Sequence, residues 1–376
     1  MKNILHLSAD EKFIDMGISA FEMVYPASNT LLVVQNHAHI KHVNFKNKKI
    51  ISKKKLASDS KKDTFWLGVD AVVLHSIFAY TVNIPKNIRV IWLGFGYDYY
   101  DFIFKNEFEL FSQKSLQLMS NKQLMQGEGF IVKLKNAIKL LIFFKYRQKK
   151  QKIKIMERVD IFCPVLTSEY QAIKWPGKNT PKLMDWNYGT MEDNWAKENA
   201  NVLSGKNILL GNSATLTCNH LDGIDLLCKA KNIGSKLIIP LSYGNKKYGE
   251  LVKKYAHQHF SGEVLALDGF MPFDEYMQLI SSCSFVIMPH KRQQGVGNII
   301  ALLNLGAKVF LDKRNLLYTF LKEKGFFVFC LEDIVSPDFL TELTQEQIEK
   351  NKIYLYEIWG RDSILNKTKM LIECPL

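Results

Sequence analysis

The sequence predicts an α/β protein built from two successive Rossmann-like domains, and three observations carry that reading. Short runs rich in Val, Ile and Leu recur along the chain, separated by segments of helical periodicity. That is the pattern of parallel strands joined by crossover helices. The series runs twice, with a Pro-, Gly- and Asn-rich stretch, WPGKNTPKLMDWNYG (175–189), closing the first. At 376 residues the chain is also long for a single core, so two domains are the natural expectation.

In the first series, strands are expected at NILHLSA, TLLVVQN, AVVLHSI, RVIWLGF and VDIFCPV. The lysine-dense stretch NFKNKKIISKKKLASDSKKD reads as an exposed segment. In the second series the elements alternate strictly. KNILLGNS, SKLIIPLSYG, GEVLALDGF, SFVIMPH and KVFLD read as strands. NHLDGIDLLCKA, KKYGELVKKYAHQHF, PFDEYMQLISSC and GNIIALLNLG read as the helices between them. The tail IEKNKIYLYEIWGRDSILNKTKMLIE reads as helical. The expected division is 1–195, 196–355 and a helical tail, 356–376, returning to the first domain.

Composition narrows the class. Hydrophobic residues make up 47% of the chain and aromatics 12%, so it is globular rather than disordered. Six scattered cysteines without a CxxC pair read as buried thiols of a reduced compartment, not as a zinc or disulfide framework. MKNILHLSAD reads as a first strand rather than a signal peptide. No apolar run approaches the roughly 20 residues that cross a bilayer. The expected location is therefore cytoplasmic, soluble or on a membrane surface.

The net charge of +13 is unevenly placed. Residues 1–158 hold 26 Lys+Arg and 13 Asp+Glu, and the remainder holds 24 of each. Such asymmetry points to an anionic partner: nucleic acid, anionic lipid or a phosphorylated substrate. Residues 131–158 carry ten Lys+Arg and one acid, Glu157, around the apolar block LLIFF. A helix there would set Leu134, Ile138 and Leu141 on one side with lysines around them. That suits an interfacial helix attracted to anionic headgroups, with Lys145, Arg147, Lys149 and Lys150 facing the membrane. A core helix with a solvated lysine face is the plainer alternative.

The chemistry-bearing residues fall where strands end. Ligands of open α/β sheets bind at the carboxyl ends of strands, and a helix N-terminus offers N–H groups and the positive dipole end. RQQGVGN (292–298) lies between the strand SFVIMPH and the next helix. Gly295 and Gly297 would let an anion reach the backbone. Arg292 would neutralise a phosphate with its forked donors. Gln293, Gln294 and Asn298 would bond sugar hydroxyls or phosphate oxygens. The pattern fits a diphosphate with a sugar attached. Upstream, Gly211, Asn212 and Ser213 follow a strand, with Thr215 and Asn219 close to the next helix. Ser242, Tyr243 and Gly244 follow the next strand, and a turn at Asp268–Phe273 could set a base against Phe270 or Met271.

LLGNS, IPLSYGN, FDEYMQLISSC and above all RQQGVGN resemble the motifs of glycosyltransferase family 56. This is the family of TDP-N-acetylfucosamine:lipid II N-acetylfucosaminyltransferases, also called 4-alpha-L-fucosyltransferases. The likeness runs over about 205–315 and is fainter in IWLGFGYDYYD, where the family shows a tryptophan–glycine–aspartate segment. It implies the GT-B fold, two Rossmann-like domains facing across a cleft. The N-terminal one would bind the acceptor and the C-terminal one the nucleotide-sugar. It also implies no metal and no other cofactor, the nucleotide-sugar being a substrate. The residues agree, since DYYD has the wrong spacing for a DxD motif and DEKFID lies in the acceptor half. Charge on the leaving group would then fall to Arg292 and helix N–H groups.

Deprotonation of the acceptor hydroxyl needs a base. In this architecture it would come from a loop at the carboxyl end of an N-domain strand. Asp10, which matches an aspartate of the family, ranks first, then His75, then Asp98. The overall expectation is a peripheral glycosyltransferase on the cytoplasmic face of the bacterial inner membrane. It would pass an N-acetylfucosamine-like 6-deoxyhexose from a dTDP- or UDP-sugar to a polyprenyl-diphosphate-linked glycan, in building a surface polysaccharide such as common antigen, O-antigen or capsule. Its partners would be the nucleotide-sugar, the lipid-linked oligosaccharide and an anionic membrane surface, not nucleic acid. The alternatives are a nucleotide-sugar epimerase of the same architecture and a basic nucleic-acid-binding protein. The latter lacks a recognisable reader motif, and an NAD enzyme lacks the fingerprint glycines.

Overall fold

The computed structural model of the chain describes residues 2–77, 80–120, 148–177, 180–196, 203, 205–230, 234–269 and 271–375. It divides into two compact units. The first comprises Met1–Phe104, Gly127–Thr190 and Trp359–Leu376; the second comprises Lys105–Gln126 and Met191–Ile358. The expected boundaries move accordingly. The boundary expected at 195 falls at Thr190, the tail begins at Trp359 rather than 356, and 105–126 belongs to the second unit.

The first unit is a seven-stranded sheet in the order β3-β2-β1-β4-β5-β6-β7. Its strands are β1 (Ile4–Ser8), β2 (Asn29–Val34), β3 (Lys48–Ile51), β4 (Ala71–His75), β5 (Arg89–Leu93), β6 (Ile161–Cys163) and β7 (Lys182–Leu183). All adjacent pairs are parallel. The central strands β1 and β4 are buried along their whole length, as a sheet covered on both faces requires. Four of the helices are α1 (Ile14–Val24), α2 (Lys53–Asp59), α3 (Gln113–Ser120) and α4, whose described part is 148–156. Of these, α3 lies in the second unit. The lysine-dense stretch is not merely an exposed segment, because it contains β3 and α2. β3 is an edge strand with two of its four residues exposed, and Ser52 caps α2 by accepting from the Lys55 N–H at 3.2 Å.

The second unit is a six-stranded parallel sheet in the order β10-β9-β8-β11-β12-β13. Its strands are β8 (Ile208–Leu210), β9 (Leu237–Pro240), β10 (Val264–Leu267), β11 (Phe285–Met288), β12 (Lys308–Leu311) and β13 (Phe329–Cys330). This is the doubly wound order in which the strand sequence reverses beside the first strand, here between β8 and β11. In the first unit the reversal lies between β1 and β4. The remaining helices are α5 (Thr167–Ala172), α6 (His220–Leu227), α7 (Lys246–His259), α8 (Phe273–Ile280), α9 (Val296–Leu305), α10 (Leu316–Glu323), α11 (Gln345–Trp359) and α12 (Arg361–Glu373). The tail is therefore two helices, broken at Gly360. α12 closes the core of the first unit. Ile364, Leu371 and Ile372 join Phe21 and Trp186 there, and the Trp186 indole N–H donates to Thr368 Oγ1 at 2.8 Å.

Four cysteines are buried, but Cys228 is exposed and Cys374 half-buried, so the expectation of six buried thiols holds for four. Among the described residues no helix is long and apolar enough to cross a membrane.

Candidate functional site

In the second unit the loops that follow β8, β9 and β11 are tied into one assembly at the reversal point. Ala214 and Gly244 form a β-bridge, with the Ala214 N–H donating to the Tyr243 carbonyl at 2.6 Å and the Asn245 N–H to the Ala214 carbonyl at 2.8 Å. Gly244 has φ +110°, and a Cβ there would lie 2.4 Å from the Ala214 carbonyl oxygen, so only glycine fits. Gln294 joins the third loop. Its amide nitrogen donates to Asn212 Oδ1 and Thr215 Oγ1, both at 3.0 Å, and its oxygen accepts from Thr217 at 2.9 Å. The structure thus brings Gly211, Asn212 and Ser213, Tyr243 and Gly244, and the 292–298 segment to one end of one sheet.

Several of these residues do other work than the sequence assigns them. Gln294 engages both ends of its amide within the protein and is a cross-link between loops rather than an open ligand contact. Gly295, with φ +65°, makes room for Asn212, whose Cγ would lie 3.0 Å from an added Cβ. At Gly297 an added Cβ would lie 2.6 Å from the Trp195 ring. The space a Cβ would take at both glycines is therefore filled by a neighbouring side chain. Gly211, with φ +69°, likewise lies against the His220 ring. Ser242 Oγ donates to the Leu267 carbonyl at 3.0 Å and Asn298 Nδ2 to the Tyr276 hydroxyl at 3.0 Å. Gln293 is buried. Arg292 and Tyr243 remain partly or largely exposed, and α9 begins at Val296 beside them. Phe270 lies outside the described residues. Gly297→Ala is expected to destabilise the protein by about 1–3 kcal/mol through crowding of Trp195. Trp195→Leu in the same chain should recover part of that loss in urea unfolding. No recovery would mean that the glycine serves something other than this packing.

Two asparagines pin the assembly, Asn219 from the expected set and Asn315 from outside it. Asn315 caps α10, and its Nδ2 donates to the carbonyls of His290 and Arg292, both at 2.9 Å. Asn219, buried and left-handed at φ +50°, donates to the Pro289 carbonyl at 2.9 Å and accepts from the Ser112 N–H at 2.9 Å. It is a structural junction, not a phosphate or ribose contact. Asn315 was legible as an N-cap before LLYTF, but its reach to residue 292 was not.

In the first unit the three base candidates differ sharply. Asp10 accepts from the backbone N–H groups of Lys41 at 2.6 Å, His42 at 2.9 Å and Val43 at 3.0 Å. Desolvation pushes its carboxyl up, but the three donors outweigh it and hold the group below its usual range. It organises the β2–β3 loop and is a weak base. Asp98 is buried, accepting from Ile77 N–H at 3.0 Å, Trp92 Nε1–H at 2.8 Å and Phe95 N–H at 2.9 Å. Burial raises it and those three bonds counteract the rise. The tryptophan and aspartate of IWLGFGYDYYD are thus partners.

His75 is fully buried at the end of β4, and its neighbours fix its tautomer. The Asn29 amide nitrogen donates to Glu22 at 2.7 Å and to the Tyr25 carbonyl at 2.9 Å, which turns the Asn29 oxygen toward His6 Nε2 at 3.0 Å. His6 Nε2 therefore carries the proton. In the neutral ring His6 Nδ1 accepts, so His75 Nε2–H donates to it at 2.9 Å, and His75 Nδ1 accepts from the Tyr188 hydroxyl at 2.8 Å. Burial depresses both rings, His6 to about 4 and His75 well below the imidazole range, where His6 adds to the effect. The link to Tyr188, 113 residues away, was invisible in the sequence, where 175–189 reads as a closing loop.

The fold is that of the GT-B class, two Rossmann-like α/β units in one chain. The chain is similar over its whole length to HepE from Anabaena, solved with UDP and glucose (10% identity, 100% of each chain covered, TM-score 0.61). It is similar to sucrose-phosphate synthase from Thermosynechococcus elongatus (8% identity, 99% of this chain and 98% of that one, TM-score 0.61). It is also similar to the lipopolysaccharide outer core galactosyltransferase WaaB (10% identity, 99% of each chain, TM-score 0.60). A family model described as 4-alpha-L-fucosyltransferase, glycosyl transferase group 56, matches residues 132–358. The chain belongs to that family and is a glycosyltransferase.

Proposed function

We propose that the protein moves an N-acetylfucosamine-like 6-deoxyhexose from a dTDP- or UDP-sugar to a polyprenyl-diphosphate-linked glycan at the cytoplasmic face of the inner membrane. The observation that carries the donor half is the assembly at the β8/β11 reversal point: three loops tied by Gln294 and the Ala214–Gly244 bridge, with Arg292 partly exposed just before α9. Arg292 and the first N–H groups of α9 meet the diphosphate of the leaving group. No metal enters this reading, so turnover should survive chelation by EDTA. HepE, of like fold, was solved with UDP and glucose, which supports a nucleotide-sugar as the donor.

The acceptor belongs to the first unit. His75 touches no solvent, so any proton it takes from a sugar hydroxyl passes through Tyr188. A thermal-shift panel of nucleotide-sugars tests the donor, because a ligand that binds only the native state raises its stability. A rise with dTDP- or UDP-sugars and none with NAD is expected. A flat panel would refute the reading.

The membrane half rests on the basic 131–158 segment. Lys145 and Arg147 lie outside the described residues; Lys149 and Lys150 are exposed on α4. Replacing all four by Gln should reduce sedimentation with phosphatidylglycerol vesicles while donor binding persists. Equal sedimentation of variant and parent would remove the membrane assignment.

A further inference from the structure

At the carboxyl ends of β1, β4 and β5, where the strand order of the first unit reverses, the chain builds a stack of aromatic rings. Phe95 lies parallel to Tyr188, with centroids 4.6 Å apart at 15°, and parallel to Tyr97, 6.0 Å apart at 15°. Phe13 leans on Phe95 at 6.2 Å. The outer members are open, Tyr97 at 51% and Phe13 at 40% exposure.

The stack is also held rigid. The Tyr188 hydroxyl is fixed on His75 at 2.8 Å. Tyr97 donates to Glu11 Oε1 at 3.3 Å and so accepts from Ser76 Oγ at 3.1 Å. Ser76 itself sits at φ +65°, a conformation that a non-glycine residue adopts only under constraint. Asp98 supplies the constraint, bonding the N–H groups of Ile77 and Phe95 on the two adjoining loops at 3.0 and 2.9 Å. Strain of this kind, next to exposed rings and at a topological switch point, marks a binding surface.

We propose that this surface is a saccharide platform: a pyranose of the acceptor glycan lays its apolar C–H face on Tyr97 and Phe13 and turns its hydroxyls to the Glu11 carboxylate. A pyranose has one apolar face and a rim of hydroxyl donors, and the surface offers ring faces edged by an acceptor carboxylate. A prenyl chain would desolvate Glu11 with no donor in return. A phosphate would meet Glu11 with like charge. The rings are fixed before binding, so little ordering opposes it. The inference rests on the glycosyl-transfer reading only in naming the sugar as acceptor; the contact with a pyranose stands without it.

The test is saturation-transfer NMR on the full chain, with methyl β-glucopyranoside and methyl β-N-acetylglucosaminide at millimolar concentration as probes. The parent should transfer saturation to pyranose ring protons of at least one probe. Phe13→Ala with Tyr97→Ala should abolish the transfer, and Tyr97→Phe, which keeps the ring, should retain it. No signal from the parent, or an unchanged signal from the double variant, would overturn the platform. Thermal shift with UDP and dTDP-sugars on the same samples separates the two ideas. Lost saccharide signal without any nucleotide-sugar shift leaves the platform standing and the transferase reading fallen. A nucleotide-sugar shift with saccharide signal indifferent to the double variant does the reverse.

Discussion

Arg292→Ala is expected to lower turnover by about tenfold or more while the protein stays folded. The side chain is half-exposed where β11 gives way to α9, and its forked guanidinium is the cation nearest the start of that helix along the chain. With no metal in the reading, the growing negative charge on the leaving diphosphate has few other partners. Arg292→Lys should recover only part of the rate, since an ammonium gives a point charge without the fork. The loop itself should keep its shape in both variants. Asn315 holds the backbone carbonyls of His290 and Arg292, and Gln294 holds the facing loop, and neither bond needs the Arg292 side chain. Steady-state kinetics decide the matter: a variant with parental kcat removes Arg292 from the site.

Stability is expected to begin falling near pH 6.5, earlier than carboxylate protonation alone would bring it down. His6 is held to about 4 and His290 to about 3, chiefly by burial, and burial also lowers His75 and His220. A histidine whose folded pKa lies below its unfolded value stabilises the fold fully above about 6.5. That contribution is lost as pH falls from there toward the folded pKa. Each such group removes up to roughly 1.4 kcal/mol per pH unit in that window. Glu169 runs the other way. Burial raises it to about 7, so its penalty is relieved as pH drops, and Asp98 shares the direction. The histidines outnumber them, so stability falls between pH 6.5 and 5. His6→Gln keeps an acceptor for His75 and a donor for Asn29 but cannot titrate. Its urea-unfolding free energy should fall less steeply with pH, by about one proton. An unchanged slope would show that His6 is not the buried neutral ring described.

Most of the strand pattern was legible because parallel strands buried on both faces leave unbroken apolar runs, as in FVIM and LIIP. β3 was not, because an edge strand need bury only part of itself, and KKII buries one residue of four. The 292–298 loop could be placed from its neighbours, β11 before and α9 after. What its glycines face could not, since Asn212 and Trp195 approach from far along the chain. The base candidates show the same limit. Asp10 and His75 were visible as chemistry-bearing types at strand ends. Which of them is saturated by backbone N–H groups, and which speaks to Tyr188, depends on loops the sequence does not bring together. The aromatic platform was missed because Phe13, Phe95, Tyr97 and Tyr188 belong to three separate loops, each unremarkable alone.

The interleaving of the two units bears on how the polypeptide matures. Thr368, Leu371 and Ile372 complete a core that Ile4 and Phe21 begin, so the first unit stays unfinished until all of the second has been translated. The second unit needs α3, made some hundred residues before β8, and the N–H of Ser112, just ahead of that helix, closes on Asn219. No single cut through the chain therefore yields two self-sufficient halves. A nascent chain stalled at Thr190 would hold an unfinished core, with the Trp186 indole still waiting for its partner.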